Sequence, residues 1–313
     1  MNIGNLFSMG GKITTEVLSV ACVQFAPVGA QTVEELNENT QTMLDYLDRA
    51  VSAFPGVDLV VFPEACFQGF APAQFEDALM TEESEQLRRV CDRCRQLQVW
   101  AVVCPLIRSE GGKCFKNTAM LINDRGEIVH RYVKMNPWIP FENAVPGTEC
   151  TVCEGPKGSR IGIIICADGD YPEIWREAAH QGANVIVRPT HYMDPWAQAW
   201  ELTNRASAYF NQVYVVGANC SGLARNETRS CFGRSMIVGP DGTIITEAMS
   251  GSPGLIKADL YPGIIDRMHA QAVHSNPMYS FNHRGASCPE RGGQGDPVMR
   301  YTAYQDREVE NDD

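Results

Sequence analysis

The sequence predicts an α/β fold built from alternating strands and helices. Short apolar runs rich in β-branched residues alternate with longer segments whose apolar residues recur at helical spacing, and this order occurs once in each half of the 313-residue chain. Each half also contains one hairpin whose turn ends in glycine. Hydrophobic residues make up 44% of the chain and charged residues 20%, which is ordinary for a globular protein with a large core.

In the first half, the predicted order is strand, helix, strand, helix, strand, followed by a hairpin. The first helix opens with the capping-box pattern at residues 32–35, and a Pro-Gly pair at residues 55–56 ends it. We assign strands to residues 17–25, 57–62, 99–104, 116–122 and 127–133, and helices to residues 32–54 and 83–97. Because the first strand is mostly apolar, we expect its sheet to be covered on both faces.

The second half repeats this order. An apolar strand ends at Cys166, strands follow at residues 184–188 and 213–219, helices lie at residues 172–181 and 197–211, and a second hairpin turns at residues 239–242. From residue 261 the pattern weakens. We therefore expect an N-terminal arm over residues 1–15, one domain over residues 16–265, and a C-terminal extension over residues 266–313 that lies at a subunit interface.

The net charge and the cysteines indicate which partners and which cellular compartment to expect. The formal net charge of −12 argues against nucleic acid or a membrane surface as the main partner. No apolar segment approaches the about 20 residues that span a bilayer, and the N-terminus lacks the pattern of a secretory signal. The twelve cysteines are spread over the whole chain. These features predict reduced thiols and a cytoplasmic location.

Two cysteine pairs have the spacing of zinc ligands, Cys91 with Cys94 and Cys150 with Cys153. A zinc site with four cysteine ligands would need both pairs to converge. Cys91 and Cys94 instead have the spacing of consecutive turns of an amphipathic helix. We expect no metal site from these pairs.

The most informative stretch surrounds Cys166. A short apolar run ends at this cysteine, and a polar turn then leads to Pro172 at the first position of a helix. This pattern places the sulfur at the carboxyl end of a strand, where open α/β sheets bind their ligands. Nearby backbone N–H groups would favour a thiolate and could hold an oxyanion. The alternative interpretation is that Cys166 is only a small core residue.

Two further strand ends carry reactive side chains, Glu64 and Lys134. If these strands are neighbours in one sheet, Glu64, Lys134 and Cys166 meet at one rim. Glu64 would then accept the thiol proton, Cys166 would attack a carbonyl carbon, and Lys134 with the Ala167 backbone N–H would face the developing negative charge. The alternative is that Glu64 and Lys134 form only an ion pair on the rim, which would stabilise the fold little.

These segments resemble the three signature motifs of the nitrilase superfamily of carbon-nitrogen hydrolases. The likeness lies in Phe62-Pro-Glu64, in Val133-Lys134 and in residues 165–173, and it is strongest to the aliphatic amidases and formamidases. Residues 132–142 resemble the lysine loop of that branch, including a later glutamate, and residues 187–193 and 282–285 also resemble segments of it.

The resemblance implies a two-layer subunit of an αββα sandwich that reaches four layers on dimerisation, in a homodimer or homohexamer. It also implies a Glu-Lys-Cys triad that needs no metal or organic cofactor. On this basis Glu142 is a second catalytic glutamate that holds substrate and Lys134. Trp138 and Tyr192 match pocket-lining positions, for which core packing is the alternative. Arg188 is expected to pair with acidic residues near the site.

The sequence departs from the branch at three expected substrate-binding positions. Ala65 and Ala167 stand where relatives commonly have Tyr and Asp or His, and Thr190 stands where they have Gln or Ser. The smaller side chains predict a roomier, less polar acyl pocket than formamide or acetamide would need. The Trp-Glu pair that follows the cysteine of true nitrilases is absent, which disfavours a nitrile substrate.

We therefore expect an amidase that converts a small to medium carboxylic amide to the acid and ammonia through a Cys166 thioester. The alternatives within the enzyme class are an N-carbamoyl or urea-type amide and a nitrile as substrate. The alternative from another class is a non-catalytic binding protein on the same fold.

Overall fold

The first half of the chain follows the predicted order. A computed structural model describes residues 16–70, 78–111, 114–139 and 142–275. Its first elements are β1 (Leu18–Gln24), α1 (Val33–Ala53), β2 (Leu59–Glu64), α2 (Glu85–Leu97), β3 (Trp100–Cys104), β4 (Leu106–Arg108), β5 (Phe115–Ile122) and β6 (Ile128–Val133). The predicted capping box is confirmed, since Thr32 Oγ1 accepts from Glu35 N at 3.3 Å and Glu35 Oε2 accepts from Gln31 N at 2.8 Å.

The second half also matches, with short strands that the sequence did not reveal. It contains β7 (Val152–Glu154), β8 (Arg160–Ile163), α3 (Pro172–His180), β9 (Val185–Thr190), α4 (Ala197–Asn211), β10 (Tyr214–Asn219), β11 (Ser221–Gly222), β12 (Cys231–Phe232), β13 (Met236–Val238), β14 (Ile244–Glu247), β15 (Gly254–Leu260) and α5 (Pro262–Ser275). The helix predicted over residues 197–211 has the bounds of α4.

The strands form two large sheets, each with a parallel centre and antiparallel edges. The first has the order β15-β1-β2-β3-β5-β4, with β6 paired to β5, and the second has the order β14-β13-β10-β9-β8-β7. Strands β1, β2 and β3 run parallel, as do β8, β9 and β10. Each half of the sequence therefore builds one sheet, and β15 returns to β1 to close the first sheet.

The outer face of each sheet is covered by two helices. Val60 and Val103 of the first sheet pack in one apolar cluster with Leu47 of α1 and Val90 of α2. The second sheet packs in the same way against α3 and α4, whose tryptophans Trp175 and Trp200 are fully buried. The apolar spacing of these helices places their hydrophobic side toward the sheet.

The inner faces of the two sheets meet. Strand β2 contacts β9 and β10, and the Cys22 thiol of β1 donates to the Gly217 carbonyl of β10 at 3.4 Å. The α/β class is confirmed, but one chain already holds all four layers in the order helix, sheet, sheet, helix. The expectation that a subunit supplies two layers and that dimerisation completes four is corrected, because β1 and β2 are apolar on both faces and the second half of the same chain covers the inner one.

Two of the predicted segments lie wholly or mostly outside the described residues. These are the arm over residues 1–15 and the C-terminal extension, of which the structure describes only the part up to residue 275. Of the two units into which the chain divides, the first ends at Gly263 and contains both large sheets. None of the described helices is long and apolar enough to cross a membrane.

Candidate active site

Cys166 lies in a sharp turn between β8 and α3. It opens a short 3-10 turn, Cys166–Asp170, with a backbone φ of +48°. A side chain in this left-handed region is strained by about 1–2 kcal/mol, so the surrounding structure must hold it there. The Cys166 carbonyl accepts two hydrogen bonds from the Arg188 guanidinium, from Nε at 3.0 Å and from Nη2 at 2.7 Å.

Arg188 at the centre of β9 anchors this turn. Its side chain is fully buried, and Nη1 donates to Thr203 Oγ1 at 2.9 Å and to Asn204 Oδ1 at 3.0 Å on α4. The guanidinium also lies over the aromatic faces of Trp175, Tyr192 and Trp200. The expected acidic partner is present as Asp170, at 3.6 Å, but the shorter bonds go to the Cys166 carbonyl and to α4.

Glu64 ends β2 and is held by three donors. Oε1 accepts from Asn117 Nδ2 at 2.7 Å and from Lys134 Nζ at 2.8 Å, and Oε2 accepts from the His191 backbone N–H at 2.8 Å. Lys134 Nζ also donates to Glu142. Glu64 and Lys134 are fully buried, so their ion pair does not lie on an exposed rim.

The charges of this cluster set its protonation. Burial alone would raise the pKa of Glu64, but the charge and hydrogen bond of Lys134, with further contributions from His191 and Cys166, lower it below its usual range. Burial likewise would lower the pKa of Lys134, and the neighbouring anions raise it well above its ordinary value. Glu64 is therefore a carboxylate and Lys134 an ammonium at neutral pH.

Glu142 differs from Glu64 although both contact Lys134. Burial raises the pKa of Glu142, the charge of Lys134 opposes this, and the nearby Glu64 carboxylate raises it further. Its Oε2 is buried and has no hydrogen-bond partner in the described part of the chain. A buried carboxylate oxygen without a hydrogen-bond donor is costly, so this atom calls for a role in the site.

The thiol of Cys166 is protonated in this environment. Burial raises its pKa well above the ordinary value and the Glu64 charge raises it further, while Lys134 lowers it only in part. The expectation that nearby backbone N–H groups favour a thiolate is therefore corrected. Burial of the thiol and the neighbouring carboxylates outweigh the effect of the turn on this pKa, and α3 begins only at Pro172.

The three predicted residues meet, but not on the rim of one sheet. Glu64 ends β2 and Lys134 follows β6, both in the first sheet, whereas Cys166 follows β8 of the second. The carboxyl ends of the strands in one sheet lie close to those in the other because the two sheets pack face to face. The Cys166 thiol is close enough to the Glu64 carboxylate for each group to shift the pKa of the other.

A cavity of about 180 Å³ opens beside the thiol. Its wall is formed by Trp138, Cys166, Ala167, Asp170, His191, Tyr192, Met193 and Trp196. The rings of Trp138 and Trp196 meet edge to face at 5.6 Å, and the Tyr192 hydroxyl donates to the Asp170 carboxylate at 2.8 Å. The lining is thus mostly apolar, with polar groups near the sulfur.

Two predicted pocket residues lie outside this lining. Ala65, with φ at +50°, packs in a small apolar cluster with Leu106 and Phe115. Thr190 is buried, and its hydroxyl donates to the Arg188 carbonyl at 3.1 Å. Their substrate-binding roles stay predictions. In the described ranges, no group of three or more His, Cys, Asp or Glu side chains is arranged to hold a metal ion.

Comparison with known proteins identifies the family. Residues 19–269 match the family described as "Carbon-nitrogen hydrolase". The chain belongs to the carbon-nitrogen hydrolase family. A formamidase from Helicobacter acinonychis is 31% identical over 96% of this chain and 89% of its own length. A formamidase from Photorhabdus laumondii is 32% identical over 86% of this chain and 80% of its own length.

Solved structures show the same fold. Nit3 of Saccharomyces cerevisiae, a member of branch 10 of the nitrilase superfamily, aligns with a TM-score of 0.74 at 24% identity, over 85% of this chain and 98% of its own. An amidase from Nesterenkonia aligns with a TM-score of 0.70 at 25% identity, over 86% of this chain and 99% of its own. The resemblance to the nitrilase superfamily seen in the sequence is confirmed.

Three residues that shape the site were not predicted from the sequence. Asn117 and His191 bind Glu64, as described above. Asp168 accepts from the Tyr132 hydroxyl at 2.8 Å and the Ile165 N–H at 3.0 Å, and from Asn136 at 2.8 and 3.1 Å. Asp168 therefore ties the cysteine turn to the loop that follows Lys134. Its position two residues after the cysteine was the only signal in the sequence.

We predict that Gly169→Ala unfolds the cysteine turn. An added Cβ would overlap the Arg188 guanidinium, which is buried on all sides and cannot move away. The free energy of unfolding should fall by about 2 kcal/mol or more, measured by urea denaturation. Gly254→Ala is the control, because a Cβ there meets nothing within 4 Å. Equal stability of the two variants would show that the close packing at Gly169 is unimportant.

Proposed function

We propose that this protein hydrolyses a small to medium carboxylic amide to the acid and ammonia, with Cys166 as the nucleophile. The observation that carries this proposal is the fully buried Glu64–Lys134 pair together with a cysteine, Cys166, in the wall of an apolar cavity. The family and the similarity to formamidases support the reaction class.

The first half-reaction forms a thioester. Glu64 accepts the thiol proton while Cys166 Sγ attacks the carbonyl carbon of the amide. The carbonyl oxygen becomes negatively charged and faces Lys134 Nζ and the Ala167 backbone N–H. As the C–N bond breaks, Glu64 returns the proton to the leaving nitrogen, and ammonia departs.

The second half-reaction reverses the roles. Glu64 accepts a proton from a water molecule, which attacks the thioester carbon, and the negative charge again faces Lys134. Collapse of this intermediate breaks the C–S bond, and the sulfur regains its proton from Glu64. The acid leaves, and both residues are restored without any change in oxidation state.

Glu142 is proposed to orient the amide. Its unpartnered Oε2 is suited to accept a hydrogen bond from the amide N–H of the substrate, while its other oxygen holds Lys134. The first role places the leaving nitrogen near Glu64. The contact with Lys134 keeps the ammonium between two carboxylates, so that the position of the ammonium does not depend on the protonation of Glu64 alone.

The cavity favours an acyl group larger than formyl. Its volume of about 180 Å³ is about six times the share of one water molecule in the liquid, about 30 Å³. Trp138, Trp196 and Met193 offer apolar surface to a hydrocarbon chain. A variant of the Nesterenkonia amidase was solved in complex with butyramide, which supports a short aliphatic acyl group here as well.

We predict that Cys166→Ala lowers ammonia release by at least about a thousandfold, because the attacking atom is lost. Ammonia release from formamide, acetamide, butyramide, an N-carbamoyl compound and a nitrile is measured with wild type and variant. Cys94→Ala, which removes another buried thiol far along the sequence on α2, should leave the rates unchanged.

Retention of activity by Cys166→Ala would overturn the mechanism. No ammonia from any compound with the wild-type protein would overturn the function and favour a binding protein. If the carbamoyl compound or the nitrile were hydrolysed faster than the carboxylic amides, the proposed substrate class would be wrong.

We predict that Glu142→Leu loses amide hydrolysis by about a hundredfold or more and keeps a reactive Cys166 thiol, since Glu64 is intact. Ammonia release and alkylation of Cys166 by iodoacetamide, located by mass spectrometry, measure the two properties. Glu149→Leu, at an exposed position nearby in sequence, is the control. Full hydrolysis by the Glu142 variant would remove this residue from the reaction.

The assembly is proposed to be a homodimer, or a homohexamer built from dimers. The outer face of α4 exposes Leu202 (68%), Tyr209 (55%) and Phe210 (51%), which share one side of the helix by their spacing. A second copy of this face would bury all three. We also propose a cytoplasmic location, supported by the free thiols of all described cysteines.

We predict that Leu202→Glu converts the oligomer to monomers, because it places a charge on the apolar face at its most exposed residue. Size-exclusion chromatography with light scattering measures the mass. Leu223→Glu changes another leucine of similar exposure, 63%, outside α4 and should leave the mass unaltered. An unchanged mass for Leu202→Glu would exclude α4 from the interface.

A further inference from the structure

Asn117 contacts the candidate base, and the steps proposed above do not use it. Its side chain is fully buried inside β5, and Nδ2 donates to Glu64 Oε1 at 2.7 Å. Its backbone carbonyl accepts from the Lys134 N–H at 2.9 Å. Asn117 therefore holds both the carboxylate of the base and the main chain of the lysine. It is not part of the cavity wall described above, so it acts on the reaction only through these residues.

The pairing of four strands in the first sheet brings these groups together. Glu64 of β2 lies opposite Cys104 of β3. Strand β5, which carries Asn117, pairs with both β3 and β6. Lys134 directly follows β6. The base, the lysine and the two polar side chains between them are therefore placed by the strand register of one sheet.

Cys104 sets the orientation of the Asn117 amide. The fully buried Cys104 thiol donates to Asn117 Oδ1 at 3.3 Å. Burial raises the pKa of this thiol well above its ordinary value, so the sulfur keeps the proton that it donates. Because Oδ1 faces this donor, the NH2 group of the amide faces Glu64. The opposite orientation would place Oδ1 against the carboxylate, with two acceptors in contact and no proton between them.

The two oxygens of Glu64 differ in the number of donors that they bind. Oε1 accepts from Asn117 Nδ2 at 2.7 Å and from Lys134 Nζ at 2.8 Å, and these two donors occupy both of its lone pairs. Oε2 accepts from the His191 backbone N–H at 2.8 Å, and this bond leaves it one lone pair. Oε2 is therefore the oxygen that can take up a proton without losing a hydrogen bond.

We propose that Asn117, oriented by Cys104, is a positioning residue that occupies Glu64 Oε1 and thereby makes Oε2 the atom that exchanges protons with Cys166 and the leaving nitrogen. This inference rests on the proposed function. When the Cys166 thiol gives its proton to Oε2, Oε1 becomes the carbonyl oxygen of a neutral carboxyl group and still accepts from the amide. Transfer of that proton to the leaving nitrogen restores the carboxylate. Asn117 thus holds the base in place in both protonation states.

The first test is Asn117→Leu, which removes the amide and keeps a side chain branched at the same carbon. We expect kcat for the best amide substrate to fall about tenfold or more, because the base is no longer held in one orientation. KM should stay within about twofold, since Asn117 does not line the cavity. Both constants are measured where the rate does not depend on pH, so that a changed pKa of Glu64 does not account for the loss.

Asn184→Leu is the matched control. Asn184 is also fully buried, and its Oδ1 accepts from the Arg160 N–H at 2.8 Å. It directly precedes β9, whereas the site lies at the other end of that strand, where His191 follows. Asn184→Leu should therefore leave kcat and KM unchanged, even where urea denaturation shows a loss of stability.

The second test separates orientation of the amide from stability of the fold. Cys104→Ala removes the donor to Asn117 Oδ1, and we expect kcat to fall about threefold or more. Cys104→Ser keeps a donor at the same place and should restore most of this loss. A buried hydroxyl stabilises the fold no better than a methyl group, so a variant with serine that is faster without being more stable indicates a positioning role.

An unchanged kcat for Asn117→Leu, or a loss that appears only as a higher KM, would overturn the inference and leave the proposed function intact. If Asn117→Leu does not fold, the Cys104 variants decide, and equal kcat values for Cys104→Ala and Cys104→Ser would overturn it. Absence of ammonia release by the wild-type protein would overturn the proposed function, and the inference with it. The wild-type assay therefore distinguishes the two failures.

Discussion

One ammonium group between two carboxylates determines the chemistry of this molecule. Lys134 is fully buried and contacts both Glu64 and Glu142. Burying an ion costs several kcal/mol, and a single cation cannot compensate two anions fully. The structure meets this excess of negative charge in two ways. Glu64 receives further N–H donors from Asn117 and His191 and stays ionised, whereas the pKa of Glu142 rises, so that it takes up a proton more readily.

The fold brings this cluster to the cysteine through contacts between the two sheets. Glu64 belongs to the first sheet, but its Oε2 is bound by the backbone of His191, which directly follows β9 of the second. Asp168 makes the reciprocal connection from the cysteine turn to the lysine loop. Arg188 donates to the carbonyl of Cys166 and so holds the strained backbone of the cysteine turn in place. Each half of the chain therefore supplies hydrogen bonds to site residues of the other half. Sliding of one sheet over the other would break these buried hydrogen bonds to charged groups.

Much of the fold followed from local sequence patterns. Apolar period, caps and glycine turns located four helices, two hairpin turns and the central strands within a few residues, because these signals depend on near neighbours in the chain. Glu64, Lys134 and Cys166 were predicted because strand ends are where reactive groups collect. That they come from two sheets was not predictable, because the packing of β1 on β10 depends on contacts such as Cys22 with Gly217, far apart in sequence.

Other parts of the site have no sequence signal at all. His191 binds Glu64 through its main chain, so residue type does not reveal the contact. Asn117 lies inside a strand, where a polar residue usually indicates an exposed face. The protonation of Cys166 was predicted wrongly for a similar reason. The local turn suggests a thiolate, but the pKa depends on burial and on carboxylates that the fold delivers from elsewhere.

Burial and the neighbouring carboxylates keep the proton on the Cys166 thiol until the sulfur attacks. A thiolate at Cys166 would add another negative charge beside Glu64 and Glu142. The nucleophilicity of a thiolate falls with its pKa, so a sulfur that gives up its proton only during attack is the stronger nucleophile. The proton then resides on Glu64, where the departing nitrogen needs it.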